Sequence, residues 1–294
     1  MVAYTANNNC VNIRQPESFG LSETLECGQC FRFEKIGEQE YNVIAHGKVI
    51  TLKEQDGDII IDNTSAGEFE KIWRHYFDLD RNYGELKATL ADDDEIMREA
   101  VAFAPGIRIL NQDFFECLIS FIISQNNRIP MIKKVIANIS EKYGSFICEK
   151  DGNKYYAFPT PEQLAAADEK SLMECKTGFR AKYIIDAVNK INSGEINRKE
   201  LDEMSLTDAR KTLMTIKGVG PKVADCVLLF SLGRAEVFPT DVWIKRVMEH
   251  FYFNGENTKI DDIHKLADEK YGVLAGFAQQ YLFNYARQLK IGAK

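Results

Sequence analysis

The stretch "MTIKGVGPKVADCVLLF", Met214 to Phe230, constrains the fold of this chain more than any other. It reads as the end of one helix, a glycine turn, and the start of a second, mostly apolar helix. Gly218 and Gly220 permit positive φ and close backbone approach. Pro221 suits the first turn of the second helix, where a missing N–H costs nothing. The turn and the helix start therefore present free backbone amides. With the positive end of the helix dipole, those amides can hold a phosphate without any basic side chain. Lys222 follows in the first helical turn, where the dipole disfavours a cation. The residues alone leave two readings open: a solvated cap residue, or an amine held ready as a nucleophile.

The chain has 294 residues and a net charge of −7. That length has room for two domains and a substantial core. An acidic balance argues against wholesale coating of nucleic acid, yet allows one local phosphate contact through amides and a few cations. No run of ~18 apolar residues is present to span a membrane. The start, "MVAYTANNNCVNIRQPESF", lacks a signal pattern. The expected location is inside the cell, cytoplasmic and nucleoid-associated, or nuclear in a eukaryote. Seven cysteines scattered along the chain fit a reducing compartment. "CGQC", Cys27 to Cys30, is a lone pair without the further ligands of a structural zinc site. The four histidines show no ligand spacing. No cofactor is expected, and no metal held by side chains.

The fold class expected is α+β. From "FRFEKIGEQEYNVIAHGKVITLKEQDGDIIIDN" we expect an antiparallel meander of about four strands, Asp-Gly being a strong hairpin signal. "AGEFEKIWRHYFDL" repeats apolar residues at helical spacing. From about Gly106 onward strand signals nearly vanish. "DFFECLISFIISQNN" is apolar nearly all round and reads as a central buried helix capped by Asp113. Helices are expected at "TPEQLAAADEKSLMEC", "FRAKYIIDAVNKINSG", "SLTDARKTLMTI", "PKVADCVLLFSLG", "DVWIKRVMEHFYF", "IDDIHKLADEKYG" and "VLAGFAQQYLFNYARQL". The expected organisation is a small sheet domain with helices over 1–105. A larger all-helical domain over 106–294 contains the helical hairpin, at about 207–232.

The complete "KGVGPKVAD" resembles the helix-hairpin-helix of the DNA glycosylase superfamily. "VFPTDVW", about twenty residues later, resembles that superfamily's Pro-rich loop ending in an essential aspartate, here Asp241. A lysine at the position of Lys222 marks the bifunctional glycosylase/lyase branch. Asp241 also reads as the N-cap of the following helix. The closer resemblance is to the 8-oxoguanine DNA glycosylase family, and it covers nearly the whole chain. "CGQCFRFE", "GIRILNQDFFECLISFIISQNNRI", "TGFRAKYI", the hairpin and "FAQQYLF" match family segments in order.

The resemblance implies excision of 8-oxoguanine from duplex DNA by base flipping, with Lys222 as nucleophile and Asp241 as its carboxylate partner. Gly28 would offer its carbonyl to the N7–H that distinguishes the oxidised base. Gln279 would bond the Watson–Crick edge, and Phe283 and Cys226 would sandwich the ring. Independently of the family, Lys222 and Cys226 are four apart, as are Gln279 and Phe283, so each pair can line one wall of a pocket. Asn126 would fill the gap left by the extruded base. Asn127 and Arg128 would flank the duplex, Arg180 would contact the orphaned partner base, and Trp243 stands where the family has a histidine near the DNA backbone. The turn at Gly218 and Gly220 would bind that backbone, and its carbonyls hold a monovalent cation in the superfamily. Departures are Arg128 for a third asparagine, Phe179 for a tyrosine, and Met131 where members often carry an arginine that reads cytosine. The partner implied is double-stranded DNA bearing 8-oxoguanine, with one site per monomer. Two alternatives stay open: a glycosylase for alkylated bases, which generally lacks the lysine, and a noncatalytic helix-hairpin-helix DNA-binding module.

Overall fold

In the computed structural model, which describes residues 2–291, alternating apolar residues of the first sixty build one antiparallel sheet. Its strands are β1 (Tyr4–Asn7), β2 (Cys10–Ile13), β3 (Phe33–Gly37), β4 (Glu40–Ala45), β5 (Lys48–Gln55) and β6 (Asp58–Asp62), in the order β1-β2-β6-β5-β4-β3. The expected four-strand meander is β3 to β6. Strands β1 and β2 extend it, with Val11 opposite Ile61. One face buries Val43, Ile50, Leu52 and Ile61 against Phe69, Trp73 and Phe77 of the following helical segment.

The second part is helical but not purely so. Strands β7 (Phe146–Lys150) and β8 (Asn153–Tyr156) form a separate hairpin. Its turn residues Asp151 and Gly152 have φ of 52° and 76°, matching Asp56 and Gly57 at 54° and 82° in the β5–β6 turn. Such paired positive φ values match the twist of tight hairpins. This hairpin explains why β4 is buried on both faces. Tyr155 packs on Ile44 and Val49, and Lys150 donates to Thr51 Oγ1 at 2.7 Å.

Helix starts follow their capping residues. Asp113 accepts from Glu116 N at 3.0 Å and opens the buried Phe114–Ser124 helix. The segment expected as one helix at 160–175 is two, Pro161–Leu164 and Glu169–Glu174, because Thr160 and Asp168 each build a capping box. A helix at Ile129–Tyr143 adds to those expected, with Pro130 in its first turn. The hairpin helices are Leu206–Leu213 and Pro221–Leu232, the second closed by Gly233 at φ 68°. Helices Val242–Tyr252, Ile260–Tyr271 and Ala275–Gln288 complete the helical part. Their apolar sides join the central helix in one core. Among the described residues, no helix is long and apolar enough to cross a membrane.

Candidate active site

Five chain segments meet at one narrow cavity of about 80 Å³. The Pro221–Leu232 helix contributes Lys222 and Cys226, one turn apart. The Ala275–Gln288 helix contributes Gln279 and Phe283, also one turn apart. Asp241 enters from the loop before the Val242–Tyr252 helix, and Gly28 from the turn after the short Leu21–Leu25 helix. The structure thus gathers all six residues singled out for catalysis and base recognition. Phe121, from the Phe114–Ser124 helix, with Phe230, Pro239 and Ile244 adds apolar walls, and Cys27 and Gln280 complete the lining.

Lys222 is half-buried, its Nζ 5.1 Å from the centroid of the Phe121 ring. Burial pushes the Cys226 thiol up to about 11, with the nearby Lys222 offsetting part of the effect. That thiol is therefore a small apolar contact in neutral solution rather than a thiolate. Asp241 Oδ1 accepts from Ile244 N at 2.8 Å, a helix N-cap. The cap fixes the side-chain rotamer and leaves Oδ2 for other work. Among the described residues Lys222 and Asp241 form no direct ion pair, although both face the cavity.

Gly28 has φ +86°, and a Cβ there would stand 3.4 Å from the Phe283 ring. Gln29, which the sequence reading passed over, holds this turn in place. Fully buried, its Nε2 donates to the Thr24 and Arg108 carbonyls at 2.8 and 2.7 Å, and its Oε1 accepts from Leu110 N at 2.8 Å. A polar residue between two cysteines in an otherwise apolar context was the available signal. Cys27 and Cys30 are both buried thiols, donating to the Thr24 and Leu25 carbonyls. Gln279 is also buried and accepts from Gln280 Nε2 at 2.9 Å. Trp243 is half-buried and packs edge-on against Phe283, with ring centroids 6.4 Å apart.

The loop between the Phe114–Ser124 and Ile129–Tyr143 helices is pinned at both ends. Gln125 Nε2 donates to the Ile122 carbonyl and Asn127 Nδ2 to the Ile123 carbonyl, both at 3.2 Å. Between them Asn126 is exposed and left-handed, φ +47°. Arg180 is buried beneath this loop. Its guanidinium donates to the carbonyls of Gln125, Asn126 and Thr177. Exposed side chains of Arg128, Met131 and Phe179 surround the loop.

The hairpin turn sits on the Ala181–Asn192 helix. Gly218, φ +77°, lies so close to Tyr183 that a Cβ would stand 2.3 Å from its ring. Asp186 Oδ2 accepts from Lys217 N at 2.8 Å. Gly220 differs from the expectation of positive φ. It is the N-cap of the second hairpin helix, extended at φ −100°, with nothing near its missing Cβ. An N-cap adopts such β-region backbone with or without a side chain.

Comparison with known proteins agrees with this geometry. The profile of the 8-oxoguanine DNA glycosylase N-terminal domain matches residues 11–118. The profile of the HhH-GPD superfamily of base excision DNA repair proteins matches residues 119–271. The N-glycosylase/DNA lyase of Saccharomyces cerevisiae is 31% identical over 319 aligned residues, covering 90% of this chain and 82% of the yeast protein. The solved structure of MBOgg1 with a low-affinity DNA ligand is 48% identical, with a TM-score of 0.94 over 98% of this chain and 99% of that one. The 8-oxoguanine glycosylase/lyase of Clostridium acetobutylicum, in complex with duplex DNA containing cytosine opposite 8-oxoG, is 44% identical with the same TM-score and coverage. The chain belongs to the 8-oxoguanine DNA glycosylase family of HhH-GPD base excision repair proteins.

Proposed function

We propose that this protein excises 8-oxoguanine from duplex DNA and then nicks the strand, with Lys222 and Asp241 as the catalytic pair. The observation that carries this reading is their convergence, from two different segments, on one cavity also lined by Gly28, Gln279 and Phe283. An enzyme acting on a base must take it out of the stack. Phe283 offers a ring face and Cys226 an opposing apolar wall, a slot suited to a flat base. Gln279 supplies an amide for the Watson–Crick edge. Gly28 supplies a carbonyl for the N7–H that guanine lacks. Leaving that carbonyl unpaired costs ~1–3 kcal/mol, enough to separate two nearly identical bases.

The Lys222 amine attacks the anomeric carbon as its bond to the base breaks, and the departing base takes up the proton the amine sheds. The Asp241 carboxylate stabilises the cationic sugar in the transition state. Ring opening gives a lysine–sugar Schiff base. Loss of a proton from the neighbouring carbon expels the 3′ phosphate, breaking the strand by β-elimination. Asn126 fills the vacated place in the duplex, and Asn127 and Arg128 flank it. Arg180 braces that loop and keeps one N–H for the orphaned base. The turn at Gly218 and Gly220 grips the DNA backbone, with Trp243 near it. The N-terminal part, to about residue 105, supplies Gly28, and the helical part the rest. One duplex site per chain suits a monomer. Such an enzyme works where the chromosome is, in the nucleoid or the nucleus.

Borohydride trapping tests the reading. The parent protein with an 8-oxoguanine duplex is expected to give a covalent complex, and Lys222→Gln none, while still binding the duplex. Absence of trapping in the parent would leave the alkylated-base or noncatalytic alternatives standing.

A further inference from the structure

Behind the pocket lies a polar cluster, two of its four members buried and two half-buried, that the reaction above does not use. Arg210, on the first hairpin helix, donates from Nε to Asp225 Oδ1 at 2.6 Å. Asp225 is 1% exposed and adjoins Cys226, and its Oδ2 has no hydrogen-bond partner. His264, on the Ile260–Tyr271 helix, places Nε2 at 3.0 Å from Thr240 Oγ1. Thr240 is buried between Pro239 and Asp241, both of which line the cavity. Its hydroxyl donates to the Phe238 carbonyl at 2.9 Å.

A hydroxyl has one proton to give. With that proton directed to Phe238, Nε2 donates to Thr240; with it turned to His264, Nε2 accepts. Burial lowers the His264 pKa. Asp225, Asp261 and a hydrogen bond to the Phe238 backbone pull it up, and Arg210 pushes it down. The ring is therefore neutral in neutral solution, and Nε2 meets Thr240 Oγ1 as donor or acceptor according to the tautomer. Pro239 has no N–H with which to anchor the loop, so the Thr240 side chain takes that task.

We propose that His264 is a positioning residue for Asp241: it clamps Thr240 and thereby sets where the Asp241 carboxylate stands across the pocket from Lys222. The inference rests on Lys222 and Asp241 acting as a pair. The Asp241 cap bond fixes the carboxylate relative to its own helix. The His264 bond fixes the residue that leads into that helix. Asp225, on the same helix as Lys222, is near enough to His264 to act on its charge, without a hydrogen bond between them.

The test compares the parent with His264→Phe, His264→Gln and Thr240→Val, on a duplex with 8-oxoguanine opposite cytosine. Single-turnover excision, duplex affinity and thermal unfolding are measured for each. The phenylalanine and valine variants are expected to lose roughly ten- to a hundredfold in excision rate, as small misplacements of reacting groups do. Their duplex affinity should stay within about threefold. Glutamine, which can place an amide N–H at the same spot, should restore most of the rate. The double variant should be no slower than either single. A glutamine variant as slow as phenylalanine, additive losses, or losses that appear only in affinity or unfolding would overturn the proposal. Should the phenylalanine variant fail to fold, Thr240→Val carries the test alone. The parent's own excision rate reports on the functional reading, and the ratio of variant to parent reports on His264.

Discussion

The ring of Phe283 stands 3.4 Å from the point a Cβ on residue 28 would occupy, and Gly28 itself has φ +86°. The ring would meet that Cβ at ordinary contact distance, so the constraint on residue 28 is its positive-φ backbone. For an L-residue the backbone alone costs roughly 1–2 kcal/mol. Relief would rotate the turn and move the Gly28 carbonyl off the base it is proposed to read. Gly28→Ala is expected to lower single-turnover excision of 8-oxoguanine by about tenfold or more, in line with one lost buried hydrogen bond. Duplex affinity should change little. An unaltered excision rate would remove Gly28 from base recognition.

Asp241 combines two tasks that substitution can separate. Its Oδ1 caps the Val242–Tyr252 helix, and its charge is proposed to stabilise the transition state. Asparagine caps as well as aspartate does, whereas alanine does not. Asp241→Asn should keep stability within about 0.5 kcal/mol of the parent, while excision falls by roughly 10²–10³. Asp241→Ala should add a stability loss of about 1 kcal/mol. Urea midpoints and single-turnover rates check both. An asparagine variant with near-parent excision would leave the carboxylate as a cap alone.

The sequence conveyed the pocket better than it conveyed the fold around it. Lys222 with Cys226, and Gln279 with Phe283, were legible because helical spacing alone puts residues four apart on one face. That the two faces meet is a tertiary fact, supplied in advance only by the family resemblance. The β7–β8 hairpin carries the same Asp-Gly signal at 151–152 that revealed β5–β6. It lies inside a helical stretch, and its strands, FICEK and NKYY, are short and do not alternate, so periodicity gave little help. Gln29 was illegible as a keystone, since its partners Arg108 and Leu110 lie about eighty residues away. Arg180 reads as a surface arginine until the loop at Gln125 and Asn126 is laid over it. Gly218 and Gly220 look equivalent in the sequence, yet only Gly218 has a ring, Tyr183, against it.

Met131 stands 42% exposed in the first turn of the Ile129–Tyr143 helix, beside the Asn126 loop. A thioether offers no donors to a base edge, whereas a guanidinium makes a bidentate contact worth ~1–3 kcal/mol of discrimination. Excision with C, A, G or T opposite the lesion is therefore expected to vary by no more than about tenfold. Met131→Arg should raise the preference for cytosine by a comparable factor. Single-turnover rates on the four duplexes decide the matter. A parent preference for cytosine of several hundredfold would mean that another residue reads the partner base.

The Cys226 thiol makes a pH prediction of definite sign. Burial pushes its pKa up to about 11, so the thiolate is the disfavoured form. At pH 7.5 only about one thiol in three thousand is ionised, and the thiolate is the form that alkylates. Iodoacetamide at pH 7.5 should therefore leave excision intact over the time needed to modify a free cysteine fully. Inactivation should quicken about tenfold per pH unit up to pH 10 and level off near 11. Cys27, at the same cavity, is likewise pushed up to about 11, so a Cys226→Ala variant is needed to separate the two. If that variant resists alkylation at pH 9.5 while the parent does not, the sensitive thiol is the one in the proposed base slot. Prior occupancy by a duplex carrying a flipped nucleotide should then protect it. Rapid inactivation of the parent at pH 7.5 through Cys226 would show a more polar slot than the one described, and would weaken its fit to the apolar face of a base.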